Sequence, residues 1–211
     1  MGHGAAGGRL MRLLPLQNGG LRLLLEHDEA AMLDQLVTQL IHLLQSHSST
    51  ALDPDPLFAS LEVGGSDEAP HDPALARLFP NAYEGEEEAG EFRRVTEQGL
   101  LNRKMQDAMQ LTSALGLGGG MPDEERTVEV DIVASELPSW ARTLTALRLA
   151  IAARIGLDAA EDHAALLDDD ETRGTVMVFD WLAAILESVL AIMAADRGDG
   201  DDTFGPGDSD A

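Results

Sequence analysis

The sequence predicts an α+β fold that is mainly helical: a small antiparallel sheet, made of a hairpin plus a third strand, packed on a bundle of about four main helices. Three observations predict it. Apolar residues recur at three- and four-residue spacing along four long stretches. Two Leu-rich runs flank Asn18-Gly19-Gly20, residue types suited to a tight hairpin turn. Residues 127–133, TVEVDIV, alternate with the period of a strand. With 211 residues, 44% of them hydrophobic, the chain is long enough for one domain with a sizeable core. Aromatic residues are only 4%, so Leu, Ala, Val, Ile and Met must fill that core.

Residues 1–8 are Gly-rich and read as a disordered N-terminus; one helical domain is expected over 9–195, and an acidic disordered tail over 196–211. In the hairpin, Leu21, Leu23 and Leu25 share a face opposite Arg22, and Pro15 places its strand at an edge because it cannot donate to a ladder. Asp28 opens a helix through about residue 46, with Met32, Leu33, Leu36, Val37, Leu40, Ile41 and Leu44 forming a wide apolar stripe. Residues 48–72 are rich in Pro, Asp, Gly and Ser, with a short helix expected over 56–61 and another over 73–79. The longest helix spans 86–115. Its first turns carry Glu86, Glu87, Glu88 and Glu91, where the helix dipole favours anions, and its inner stripe is Phe92, Val95, Leu101, Met105, Ala108, Met109, Thr112 and Leu115.

After the third strand, Ser135 is expected to cap a helix running to residue 155, with Gly156 as its stop. A short helix over 159–167 precedes the acidic run Asp168-Asp169-Asp170-Glu171. The last helix, 175–195, is apolar on most sides and reads as a central, heavily packed element with Trp181 as a core anchor.

Composition narrows the function. There are 38 acidic against 14 basic residues, a formal net charge of −24, and Lys104 is the only lysine. Nucleic-acid binding draws its affinity from cations meeting phosphates, so direct DNA binding is disfavoured, as is attraction to an anionic membrane. No cysteine is present, which removes disulfides, thiolate catalysis and Cys-ligated zinc. Residues 10–25 are apolar but interrupted by Arg12, Pro15, Asn18, Gly19, Gly20 and Arg22, which breaks both a signal sequence and a membrane span. The expected compartment is the cytoplasm.

The glycines between 116 and 120 lack the Gly-Lys-Ser/Thr of a phosphate loop. The six histidines form no HExxH and no Glu-x-x-His pair; they read as surface or internally satisfied residues. No catalytic residue, metal ligand or cofactor site is therefore assigned. One basic feature stands against the acidic background: Arg93, Arg94, Arg103 and Lys104 on the longest helix, with 93 and 104 close to three turns apart. The competing reading pairs Arg93, Arg94 and Lys104 with Glu91, Glu97 and Asp107 along the same helix.

Three stretches carry a family resemblance: LFPNAYEGEEEAGEFRRVTEQGLLNRK over 78–104, LTALRLAIAARIG over 144–156, and FDWLAAILESVL over 179–190. Together they resemble an actinobacterial domain-of-unknown-function family, the AosR-like oxidative-stress transcription regulators. The likeness spans roughly residues 9–195. It implies the fold and a regulatory partner. Thr145-Ala146 stands where the family usually has Asn-Asp, and the cysteine pair tied to the family's redox role is missing, so no cysteine switch carries over.

The expected function is that of a non-enzymatic regulatory protein binding another protein, acting on the transcription apparatus in stress response. The near all-round apolar last helix also points to a homodimer. The rivals are a hydrolase-type enzyme with a scattered carboxylate or Ser-based site, and a regulator touching DNA directly through Arg93, Arg94, Arg103 and Lys104.

Overall fold

A computed structural model describes residues 11–51, 70–82, 85–117 and 127–199. The disordered N-terminus expected over 1–8, residues 200–211 of the disordered tail expected over 196–211, and the short helix expected over 56–61 lie outside the described residues, whereas 196–199, expected to be disordered, are helical.

The hairpin forms as the sequence requires. Strand β1 (Arg12–Pro15) pairs antiparallel with β2 (Leu21–Leu25), placing Arg12 opposite Leu24 and Pro15 opposite Leu21. The connection is looser than a two-residue turn. It runs over 16–20, closed by the Leu16 N–H donating to the Gly20 carbonyl at 2.9 Å, with Gly19 alone at a left-handed φ of 74° among the glycines there. Strand β3 (Val128–Ile132) pairs with β2 on its other side, giving the order β1-β2-β3 with Pro15 on an edge strand. Period-two alternation buries Leu21, Leu23, Leu25, Val130 and Ile132 on the inner face. On the outer face the Arg22 guanidinium donates to both carboxylate oxygens of Asp131, each at 2.6 Å, and contacts Glu129 at 2.7 Å. Gly20 is required by space: a Cβ there would sit 2.4 Å from the Ile132 carbonyl oxygen.

Helix α1 (His27–Ala51) starts where the Glu29 carboxylate accepts the Glu26 N–H at 2.8 Å, one half of a capping box. Its buried stripe is Ala30, Leu33, Val37, Leu40, Leu44 and then His47. Helix α2 (Pro73–Leu78) is capped by Asp72, whose carboxylate accepts the Ala74 and Leu75 N–H groups at 2.9 and 3.1 Å. Helix α3 (Glu86–Leu115) ends at Gly116 in the left-handed region, as its sequence implies. Its inward residues differ from the expected stripe. Leu111 is fully buried and Met109 is exposed; among the described residues the buried positions are Gly90, Glu97, Leu101, Asp107, Ala108, Leu111 and Leu115, with Lys104 half-buried, and the side chains of Phe92 and Val95 lie outside the described residues. Polar residues interrupt the apolar periodicity of this face, which is why the pattern misplaced it.

Helix α4 (Leu137–Ile155) begins two residues later than Ser135. Residues 134–136 form a turn, Glu136 occupies the cap position without a side-chain cap bond, and Pro138 supplies the fixed φ of a first helical turn. Gly156, at φ 70°, stops it. Helix α5 (Asp162–Asp168) is short and buries nothing fully. Helix α6 (Arg173–Asp199) extends past the expected end at 195, so the backbone at 196–199 is helical.

Helix α6 is not central. It makes its most extensive contact with α4 and buries Val176, Leu182, Ile185, Leu186 and Val189 on one side, while Met177 (61% exposed) and Leu190 (48%) face outward. Its stretch Arg173–Ala195 is long and apolar enough to cross a membrane by length and composition, with 28% of its most apolar window buried. The tryptophan anchor is accordingly Trp140 at the start of α4, fully buried, whereas Trp181 is half-buried against the core. The bundle rests on the sheet through three helices, with α1 against β2, α3 against β3 and α6 against β1.

Candidate functional site

Three helices that converge on the core leave a groove between them. Helix α1 contributes Leu36, Gln39, Leu40 and Leu43; α4 contributes Leu147, Ala150, Ile151 and Arg154; the first turns of α6 contribute Gly174, Thr175 and Val178; and Ala74 of α2 also lines it. The groove encloses about 550 Å³ and is open along part of its length. On both long walls the residues fall at i, i+3, i+4 and i+7, the spacing that aligns side chains along one helix face. Seven residues of helix rise about 10 Å, so each wall is two turns long. Leu40, Leu147 and Ala74 are buried, whereas Leu36, Leu43, Ile151 and Val178 are half-exposed to the groove.

Arg154 is the one charged lining residue, and it is partnered. Its Nη2 donates to Asp72 at 2.6 Å. Burial pushes the Asp72 carboxyl up, but the Leu75 N–H, the Arg154 guanidinium and the Ala74 N–H outweigh burial and hold it below the usual carboxylate value. Arg77 ties α2 to the end of α4 through the Leu157 carbonyl at 2.9 Å and the Asp158 carboxylate. These contacts fix the rim of the groove and leave its walls apolar.

On the other flank of α1 lies a buried polar cluster that the sequence did not reveal. His47 and Glu97, 8% and 3% exposed, are bonded through the His47 Nε2 and a Glu97 oxygen. The second oxygen, Glu97 Oε2, has no hydrogen-bond partner among the described residues. The Phe79 ring tilts against the His47 ring at 5.2 Å, and the Lys104 ammonium sits 5.8 Å from the Phe79 centroid. The available signal was spacing: His47 continues the 33, 37, 40, 44 stripe of α1, and Glu97 lies four residues before Leu101 on α3.

The four basic residues singled out by the sequence all fall on α3. Arg103 is exposed and Lys104 is turned toward Phe79, so these two neighbours diverge. The side chains of Arg93 and Arg94 lie outside the described residues. Of the expected pairing partners, Glu97 is bonded to His47, and Asp107 accepts from the Nε and Nη2 of Arg142 of α4 at 2.6 and 2.8 Å, while the side chain of Glu91 lies outside the described residues. Burial lowers the Lys104 pKa, and Asp107 opposes that shift. Among the described residues no group of three or more His, Cys, Asp or Glu side chains is arranged to hold a metal ion.

A family model described as a domain of unknown function, DUF2017, matches residues 11–193. The chain belongs to this family. The groove and the buried pair both lie inside the matched span of the DUF2017 domain. Comparison with curated proteins and with solved structures finds no match.

Proposed function

We propose that this DUF2017 domain is a regulatory binding module of the AosR-like, actinobacterial kind, cytoplasmic and non-enzymatic, which acts by holding another protein, a component of the transcription apparatus in stress response. The groove between α1, α4 and α6 is the observation that carries the reading. It offers apolar walls in a folded chain, and its single charged residue is already neutralised by Asp72. Apolar, preformed concavities with few polar groups are where binding energy is gained by burial. The formal charge of −24 favours a basic partner over nucleic acid, because encounter is steered by the summed field. With no cysteine in the chain, the signal it relays is something other than thiol oxidation.

Self-association belongs to the same reading. Met177 and Leu190 leave apolar surface exposed on α6, which suits a homodimer. Light scattering at tens of micromolar should report twice the monomer mass; a monomer there removes the dimer from the proposal. The binding role is tested by affinity capture from native lysate with quantitative mass spectrometry against a tag-only control. A transcription component enriched by the domain supports the reading, and a lysate from which nothing is enriched overturns it.

A further inference from the structure

We propose that the α1–α4–α6 groove takes an amphipathic helix of the partner protein, presenting apolar side chains at i, i+3, i+4 and i+7 and carrying Lys or Arg at one end. The inference rests on the binding-module reading and names the form of its ligand. Two walls of matched helical spacing, each two turns long, make a seat into which the ridge of a third helix packs. Leu36 and Leu43 on one wall and Ile151 and Val178 opposite are half-buried by their own fold and would be completed by such a ridge.

Charge sets the ends. The run Asp168-Asp169-Asp170-Glu171 is separated by Thr172 and Arg173 from Gly174 and Thr175, which line the groove. Arg173 answers Asp170 alone among these carboxylates, and Asp168, Asp169 and Glu171 are exposed. The acidic run thus adjoins, in sequence, the α6 end of an apolar seat, where an anionic amphiphile or a phosphate backbone meets repulsion and a basic flank meets attraction.

The test uses the full chain and a fluorescein-labelled, side-chain-bridged helical peptide of about fourteen residues, four turns of helix. It carries Leu at the four spaced positions and three Lys at one end. Controls are a peptide with the same composition in scrambled order and one with Glu in place of the Lys. Two variants block the groove, Ala150→Trp and Leu43→Glu; a third, Asp168→Lys with Glu171→Lys, neutralises the acidic run. Circular dichroism confirms which of them fold. The patterned basic peptide should bind the wild type, with affinity falling about tenfold or more in either folded groove variant and severalfold in the charge variant. The scrambled and Glu peptides should bind no better than the blocked protein. Equal binding to wild type and groove variants, absence of binding to wild type, or equal binding of the Glu peptide overturns the proposal. So does displacement of a second copy of the chain, seen as a wild-type dimer that Ala150→Trp makes monomeric. Lysate capture separates the two levels. Proteins retained equally by wild type and Ala150→Trp leave the binding module standing and remove the groove, and proteins retained by neither remove the module itself.

Discussion

The two flanks of α1 are built differently. Toward α3 the helix is closed: Leu33, Val37 and Leu44 are buried, and even its polar end, His47, is sealed against Glu97 beneath Phe79. Toward α4 and α6 the same helix shows Leu36, Leu40 and Leu43 to a groove of about 550 Å³. One flank spends its surface on the fold and the other withholds it. The difference teaches that apolar surface on this domain is not a single reserve. Damage to the closed flank should unfold the protein, and damage to the open flank should leave it folded with altered binding.

The comparison can be broken first at the core. Trp140→Ala should cost about 3–5 kcal/mol through cavity formation. Trp181→Ala should cost clearly less, because Trp181 is only half-buried. Equal shifts in urea midpoint for the two would erase the distinction between core and edge. Next comes the sealed pair. Removing one partner with Glu97→Ala leaves the buried His47 ring without its hydrogen-bond partner and should cost about 1–3 kcal/mol, while the double variant His47→Leu, Glu97→Leu should come back close to wild type. A double variant as unstable as the single one would mean the pair holds structure that hydrophobic residues cannot replace.

Smaller effects sharpen the other flank. Leu43→Ala should lower stability by no more than about 1–2 kcal/mol, below the range for a fully buried leucine, since Leu43 is half-exposed. The rim adds a pH signature. Because Asp72 is held below its ordinary value of 3.8, its contribution to stability is complete above the unfolded value and disappears as pH falls through the lower, folded value. A melting temperature followed from pH 6 to pH 3 should therefore drop further for wild type than for Asp72→Asn. The smallest effect is expected at Lys104, whose charged form is disfavoured by burial: Lys104→Met should raise the midpoint slightly, by less than about 1 kcal/mol.

Most of the architecture is legible in the amino-acid sequence, for physical reasons that also explain what is not. The hairpin, the third strand and the span of α3 followed from alternation, Gly19 and Gly116, which local chemistry determines. The start of α4 did not, because Ser135 is a good cap by type, yet the tertiary path makes residues 134–136 a turn. An apolar helix looked central because composition cannot say which of its faces meets a neighbour; α6 meets α4 on one side and leaves Met177 outside. The groove was half legible. The sequence shows a wide apolar stripe on α1, but only the placement of Ile151 and Val178 opposite it makes a concavity. The His47–Glu97 pair escaped because each residue, alone, is of an ordinary surface type; fifty residues separate them, and only packing brings them together.

The outer face of the sheet has a consequence for how the chain assembles. Arg22 is gripped by Glu129 and Asp131, which lie two residues apart on β3 and 107 and 109 residues along the chain from Arg22. A hairpin can close early because its ends are near in sequence, whereas β3 follows three intervening helices and must choose an alignment. A slip of one residue would drive a carboxylate into the leucine face, and a slip of two would leave the guanidinium one acid short. The native alignment is therefore one in which the leucine face and the Arg22 ion pairs with Glu129 and Asp131 are satisfied together.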